Sequence, residues 1–268
     1  MSTPKVTVRQ VIDAVERHAP LNLQESWDNS GLQVGHGDTA VSGVLVTVDV
    51  TPERIDEAVA AGANMIVSHH PLIFKGLKSI IGQTRTQQAV EKAIRNDISV
   101  YSAHTSLDNA ADGLSVAFAR HIGASIVEPL VPSSPGAATG CGVICELPEA
   151  MSPNILCEAV RRAFGISSVR HSEAALRPET IRRIAVCTGA GGSLIDEAVR
   201  HHADAYITGE IRYHDFIDFA DKIFLIECGH FETEEIAKDV LTAFITEAFP
   251  FLSVLKSKNE KNPVIYIN

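Results

Sequence analysis

Six side chains in this sequence, four imidazoles and two carboxylates, have the types and spacing of metal ligands. They are His69, His70, His104, Asp108, His230 and Glu234. The first two are adjacent, and the others form two pairs four residues apart, a spacing that puts both members on one face of a helix. Imidazole-rich sets favour Zn, Fe, Mn, Ni or Cu, whereas Ca and Mg sites are nearly all oxygen. One tetrahedral ion needs only four ligands, so six candidates with a bridging carboxylate predict two ions about 3.5–4 Å apart.

Short apolar runs with helical patterns between them predict the elements that position these side chains. The predicted buried strands are 43–49, 64–68 and 98–103 in the first half, and 142–147, 183–189, 204–209, 223–228 and 263–267 in the second. The alternation predicts βαβ units in a mostly parallel sheet, preceded by an amphipathic helix at about 8–18 and ending with a long helix at about 232–248. Open α/β sheets bind ligands at the carboxyl ends of their strands. The six side chains follow predicted strands and should converge there.

The two halves of the sequence resemble each other. Residues 44–70 align with residues 184–210 at a constant offset of 140, and both carry the sequence Ile-Asp-Glu-Ala-Val in the predicted helix. This predicts an α/β fold with two similar domains related by an internal duplication and the metal site in the cleft between them. The predicted domains are 1–130 and 131–268. A second possibility is that the end of the chain returns to the first domain. The Pro-, Ser- and Gly-rich stretch 131–140 is the predicted linker.

Two other segments and one acid are candidates for ligand contact. The sequence CTGAGGS at 187–193 is either a turn whose amide groups bind a phosphate or a tight turn that uses glycine for its positive φ. Trp27 and Asp28 either contact a purine or anchor their own loop. Glu210 takes the place of His70 in the duplicated unit, which suggests an acid that supports the site or faces substrate.

The composition narrows the class of partner. The net charge is -10, so a broad nucleic-acid face is not expected. No apolar run approaches the length of a membrane span, and the first residues lack the apolar core of a signal peptide. Five cysteines without a C-x-x-C pair indicate reduced thiols. These features predict a cytoplasmic protein that acts on a small molecule.

Five motifs together resemble the GTP cyclohydrolase I type 2 homologue family, also described as YbgI-like or Nif-three-like dinuclear metal-binding proteins. The motifs are SWDNSGLQVG, VSHHPLIFKGLKSI, HTSLDNAADG, TGEIRYHDFIDFA and ECGHFETEE, which span about residues 26–235. The resemblance implies a dinuclear metal site with a defined ligand set, namely His69, His70, Asp108, His230 and Glu234. It places His104 beside the metals, and it implies two similar α/β domains and a ring-shaped homohexamer.

Two functions from different classes follow from these expectations. In the first, the protein is a metal-dependent hydrolase of a small nucleotide-like substrate, with GTP as the first candidate. Its two Zn, Fe or Mn ions would activate water, and His104 would be the catalytic general acid or base. In the second, the protein is a non-enzymatic metal carrier, insertion factor or regulatory ring. A third, weaker reading is a metal-free nucleotide-binding module that uses residues 187–193.

Overall fold

The computed structural model describes residues 5–173 and 179–267 and contains two compact units. The first unit consists of the described residues up to Ala110 together with Ala237–Lys261. The second consists of Ala111–Ile236 and the described residues from Asn262 onward. The predicted boundary at residue 130 falls inside a strand of the second unit. The chain returns to the first unit near its end.

Strands and helices alternate along most of the described chain. In chain order, the strands are β1 (Gly31–Val34), β2 (Val44–Thr47), β3 (Met65–Ser68), β4 (Ser99–Ser102), β5 (Ser125–Pro132), β6 (Gly140–Met151), β7 (Arg170–His171), β8 (Ile181–Cys187), β9 (Ala205–Thr208), β10 (Phe224–Glu227) and β11 (Val254–Lys256). The helices are α1 (Val8–Glu16), α2 (Pro52–Ala60), α3 (Arg85–Arg95), α4 (Thr105–Asp108), α5 (Leu114–His121), α6 (Pro153–Ala163), α7 (Ile195–Arg200), α8 (Tyr213–Asp218), α9 (His230–Glu234) and α10 (Ala237–Ala248). No helix in the described ranges is long and apolar enough to cross a membrane.

The first unit contains a five-stranded sheet in the order β1-β4-β3-β2-β11. The last four strands in that order are parallel, and β1 is antiparallel to β4. Every residue of β2, β3 and β4 is buried, as expected for parallel strands covered on both faces. All three strands end at the same edge of the sheet, so the segments after them can share one site there.

The second unit contains a six-stranded sheet in the order β5-β6-β8-β9-β10-β7. Strands β8, β9 and β10 are parallel, whereas β5, β6 and β7 join by antiparallel pairs. The sheet is therefore mixed, with its parallel part in the middle and near one edge. The glycine-rich turn and the segments carrying Glu210 and His230 follow the three parallel strands.

Strand register supports the predicted duplication. In the first sheet Val44 pairs with Met65, and in the second Ile184 pairs with Ala205, the same offset in both strands. The predicted fold class is confirmed, because both units are α/β and each has a parallel strand core of matching order. The antiparallel hairpin formed by β5 and β6 belongs to the second unit alone.

The structure corrects three predictions about local elements. The segment 131–140 is the turn of a β-hairpin and not a linker, because Val131 pairs with Cys141 and Pro132 with Gly140. The long helix breaks between α9 and α10, where the chain passes from the second unit to the first. Residues 263–267 form no strand within the described chain. Ile265 in this segment is 85% exposed, because no described strand of either sheet pairs with residues 263–267.

Candidate functional site

The first unit gathers three predicted histidines at the carboxyl ends of its parallel strands. His69 and His70 directly follow β3, and His104 follows β4. One ring nitrogen from each lies within 4.8 Å of the others. His69 is fully buried and the other two are partly buried. Three imidazole nitrogens this close form a suitable donor set for a transition-metal ion.

Asp108 lies beside this group at the end of the short helix α4. Its Oδ1 is 3.8 Å from Nε2 of His69. His104 is the N-cap of the same helix, and its carbonyl accepts a hydrogen bond from the Asp108 amide. The four-residue spacing therefore brings His104 and Asp108 to one end of the sheet through a single helical turn.

In every histidine of the group, Nδ1 lies within hydrogen-bond distance of an oxygen atom. The partners are the Ala103 carbonyl for His69 (3.1 Å), the Asp49 carboxylate for His70 (2.9 Å) and the Asp28 carboxylate for His104 (2.7 Å). Carbonyl and carboxylate oxygens only accept hydrogen bonds, so Nδ1 carries a hydrogen in each ring and Nε2 is the nitrogen that can act as a metal ligand. Metal-ligating histidines are oriented in this way in proteins generally.

Asp28, for which the sequence left a purine contact and a loop anchor open, connects its loop to this edge of the sheet in the structure. Its wholly buried side chain accepts hydrogen bonds from the amide and hydroxyl of Thr105 and from the Ser30 hydroxyl, as well as from His104. Burial alone would raise the pKa of Asp28, but these hydrogen bonds and the charge on His104 hold it well below its ordinary value. For Asp28, these contacts support the interpretation as a loop anchor.

Asp49 is a second support that the sequence did not reveal. It follows β2 and holds His70, and its own amide donates to the carboxylate of Glu260 at 2.7 Å. The amide of Val48 donates to the same carboxylate. Glu260 lies more than 200 residues further along the chain. No local pattern could have identified it.

The second unit contributes a histidine–carboxylate pair on one helix. His230 begins α9 and Glu234 ends it, and His230 Nε2 lies 2.9 Å from Glu234 Oε2. Glu210 holds the opposite nitrogen, with Oε1 2.7 Å from His230 Nδ1. The helix and the shared face predicted for the His230 pair are confirmed, and Glu210 is an acid that supports this imidazole.

The glycine-rich turn packs directly against this pair. Gly189 has φ +66°, and its carbonyl accepts the Gly209 amide while its own amide donates to the Thr233 hydroxyl. A Cβ built on Gly189 would overlap the Glu234 carboxylate. The turn therefore needs glycine both for its backbone conformation and for the space that the carboxylate occupies.

Replacing Gly189 with alanine should destabilise the second unit and displace Glu234. We expect a loss of about 2 kcal/mol in the free energy of unfolding, from left-handed strain and overlap. Gly136→Ala is the matched control: it has φ +76° but no heavy atom within 4 Å of a built Cβ. Urea titration of both variants should show the larger loss for Gly189→Ala. Equal losses would mean that strain alone is responsible.

A cavity of about 580 Å³ lies beside the glycine-rich turn in the second unit. The glycine-rich turn lines it through Gly192 and Ser193, and Glu210 lines it on the side of His230. Ile211 and Phe219 provide apolar surface. A cavity of this size at the carboxyl ends of parallel strands has the place and dimensions of a small-molecule site.

An aromatic pair flanks His104 in the first unit. The rings of Trp27 and Phe74 each lie 6.1 Å from the His104 ring, and the two rings are 6.1 Å apart. Trp27 is 60% exposed and Phe74 45%. Exposed aromatic faces beside an imidazole provide a surface on which a planar ring can stack.

Fold and site together define a two-unit α/β protein with imidazole and carboxylate groups at the strand ends of both units. The chain belongs to the DUF34/NIF3 (NGG1p interacting factor 3) family, whose family model matches residues 6–263. A Clostridium acetobutylicum protein named GTP cyclohydrolase 1 type 2 homolog is 34% identical over 229 residues, which cover 85% of each chain. A Streptomyces coelicolor protein of the same name is 36% identical over 84% of this chain and 80% of its own. The crystal structure of the Staphylococcus aureus hypothetical protein SA1388 superposes with a TM-score of 0.90 at 27% identity, covering 98% of this chain and all of that one.

Proposed function

We propose that this protein binds two divalent transition-metal ions and uses them in a hydrolytic reaction on a small, nucleotide-like molecule. The residues that would hold the ions are His69, His70, Asp108, His230 and Glu234. The ions would supply Lewis-acid chemistry for hydrolysis. The relatives named GTP cyclohydrolase 1 type 2 homolog make GTP the first substrate to test.

The proposal rests on the orientation of four histidine rings at the carboxyl ends of the parallel strands. All four imidazoles have Nδ1 against an oxygen, three in the first unit and His230 in the second. In the proposed centre, Nε2 of His69, His70 and His230 would be the ligand nitrogen, because Nδ1 of each ring is held by an oxygen. Such orientation of ligands by outer partners is characteristic of metal centres.

His104 is the proposed proton carrier. Asp28 accepts its Nδ1 hydrogen and stabilises the imidazolium that forms when Nε2 takes a proton, an arrangement common in general acid–base catalysis. Trp27 and Phe74 would hold a planar base beside it by stacking. Asp28 itself is held by Thr105 and Ser30, so the imidazole keeps its orientation before substrate arrives.

Elemental analysis after chelator treatment and reconstitution with Zn²⁺, Mn²⁺ or Fe²⁺ tests the metal site. The wild-type chain should bind about two ions. His70→Ala in the first unit and His230→Ala in the second should each lower the number of bound ions, because both residues are proposed ligands. His36→Ala and His214→Ala, on exposed histidines in the two units, should leave it unchanged. A metal-free wild type after reconstitution contradicts the proposal.

His104→Ala separates the catalytic role from metal binding. The variant should retain its metal content, and its hydrolysis of GTP or of a related nucleotide should fall by about 10²–10⁴-fold. Product formation by chromatography on the metal-loaded protein measures this. A metal-loaded wild type that hydrolyses no nucleotide, and releases its metal to a competing chelator and an apo-acceptor within minutes, would support the metal carrier instead.

A further inference from the structure

Two thiols of the second unit lie side by side at the start of the glycine-rich turn. Cys141 is near the beginning of β6 and Cys187 ends β8, and their Sγ atoms are 4.0 Å apart. A disulfide needs an S–S distance of about 2.05 Å. Side-chain rotation at the partly exposed Cys141 could supply much of this approach, since the two residues already lie on neighbouring strands.

A glycine brings the two thiols to the same face of the sheet. Along β6, Ile144 packs in the apolar cluster that contains Cys187, whereas Val143 packs in the cluster on the other face. Strict alternation would place Cys141 with Val143. Gly142 has φ +66°, which breaks the alternation and places Cys141 in the cluster of Cys187. The proximity therefore results from a specific backbone feature.

The other three cysteines differ from Cys141. All three are buried, and burial raises the pKa of their thiols, to about 12 for Cys145 and about 11 for Cys157, with Cys228 raised as well. Such thiols react slowly, because the thiolate is the nucleophile. Cys141 is the one cysteine of the five that is not buried.

We propose that Cys141 and Cys187 are an oxidative modification site that forms a reversible disulfide in the presence of a peroxide. The Cys141 sulfur attacks a peroxide oxygen, the O–O bond breaks, and one water leaves with formation of a sulfenic acid. The Cys187 sulfur then attacks that sulfur, the S–O bond breaks, and a second water leaves. Two thiols lose two electrons and two protons, and hydrogen peroxide is reduced to two waters.

The disulfide would act on the metal ligands through the glycine-rich turn, an effect that rests on the proposed function. Cys187 is two residues before Gly189, which packs against the Glu234 carboxylate without space for a methyl group. Drawing Cys187 toward Cys141 shifts the start of this turn. Changes among residues that support metal ligands weaken metal binding by about 10–100-fold, and we expect the lower end of this range.

Peptide mapping of the full-length, zinc-loaded protein tests the modification. After hydrogen peroxide treatment, the wild type should lose two thiols and yield a Cys141–Cys187 cross-linked peptide that dithiothreitol removes. Cys157→Ala, the control at a buried cysteine, should behave in the same way, and Cys141→Ala should yield no cross-link. Oxidation of Cys141 to sulfinic acid without a cross-link, or equal thiol loss in Cys141→Ala, would overturn the proposal.

A zinc competition assay tests the coupling to the metal ligands. The cross-linked protein should bind Zn²⁺ about tenfold more weakly than the reduced protein, and dithiothreitol should restore the affinity. A cross-linked protein with unchanged affinity refutes the coupling. If the reduced protein binds no zinc, the proposed function fails, while the disulfide is still judged by the peptide map.

Discussion

Asp28→Asn is expected to lower the free energy of unfolding by about 3 kcal/mol, because it breaks a buried charge-assisted network. The Asp28 carboxylate accepts from His104, Thr105 and Ser30 and from the amide of Asn29. An asparagine of the same shape replaces one acceptor oxygen with an NH₂ group that faces donors. At least one buried donor then lacks its acceptor, and the His104 imidazole loses the partner that sets its tautomer.

The pH dependence of this loss has a defined sign. The folded pKa of Asp28 lies below its unfolded value, so its contribution is fully present above an unfolded pKa of about 3.9 and declines as the pH falls below it. Urea titrations at pH 7 and at pH 3 should therefore show a smaller difference between wild type and variant at pH 3. Asp56→Asn is the control, because its exposed pair with Lys92 should contribute less than about 1 kcal/mol. A difference of that small size for Asp28→Asn would refute the network argument.

Glu234→Gln is expected to abolish the stabilisation of the protein by added metal. A ligand that binds only the folded state at a thousandfold excess over its dissociation constant stabilises by about 4 kcal/mol. Glutamine keeps the shape of Glu234 and its contact with Gly189 but removes the anionic oxygen 2.9 Å from His230 Nε2. The thermal midpoint of the metal-free protein should change little, whereas the rise on adding Zn²⁺ or Mn²⁺ should disappear.

Glu232→Gln is the control for this experiment. Glu232 lies on the same helix, α9, and its Oε1 accepts from the side chain of Asn262 at 2.7 Å. It has no part in the proposed ligand set, so the metal-dependent rise in the thermal midpoint should persist. Differential scanning calorimetry with and without metal on both variants makes the comparison. A full rise in Glu234→Gln would remove this residue from the proposed ligand set.

The sequence predicted the strands whose ends carry the candidate residues, because the signals of those strands are local. A β-branched run identifies a buried strand, and a polar residue directly after it lies at the sheet edge. The four-residue spacing identified His230 and Glu234, and the structure places them on one helix. The internal alignment predicted matching strand register in the two sheets, which the pairs Val44–Met65 and Ile184–Ala205 confirm.

The supporting residues could not be predicted in the same way. Asp28 reaches His104 across 76 positions, and Glu260 reaches the amide of Asp49 across 211. Each lies in a loop whose composition is typical of turns, and nothing in its neighbourhood distinguishes a site anchor from an ordinary polar residue. Only the folded chain shows that their acceptor oxygens meet donors from distant segments.

The sequence by itself determined the fold class, the duplicated strand–helix–strand core and the set of imidazoles and carboxylates that could hold metal. It could do so because strand and helix periodicity, glycine turns and spacing along one element depend on neighbouring residues. The tertiary structure decided which oxygen faces Nδ1 of each histidine, which strand pairs with which, and that the stretch 131–140 is a hairpin turn. These features depend on contacts between residues far apart in the chain, whose formation is a property of packing and not of any local pattern.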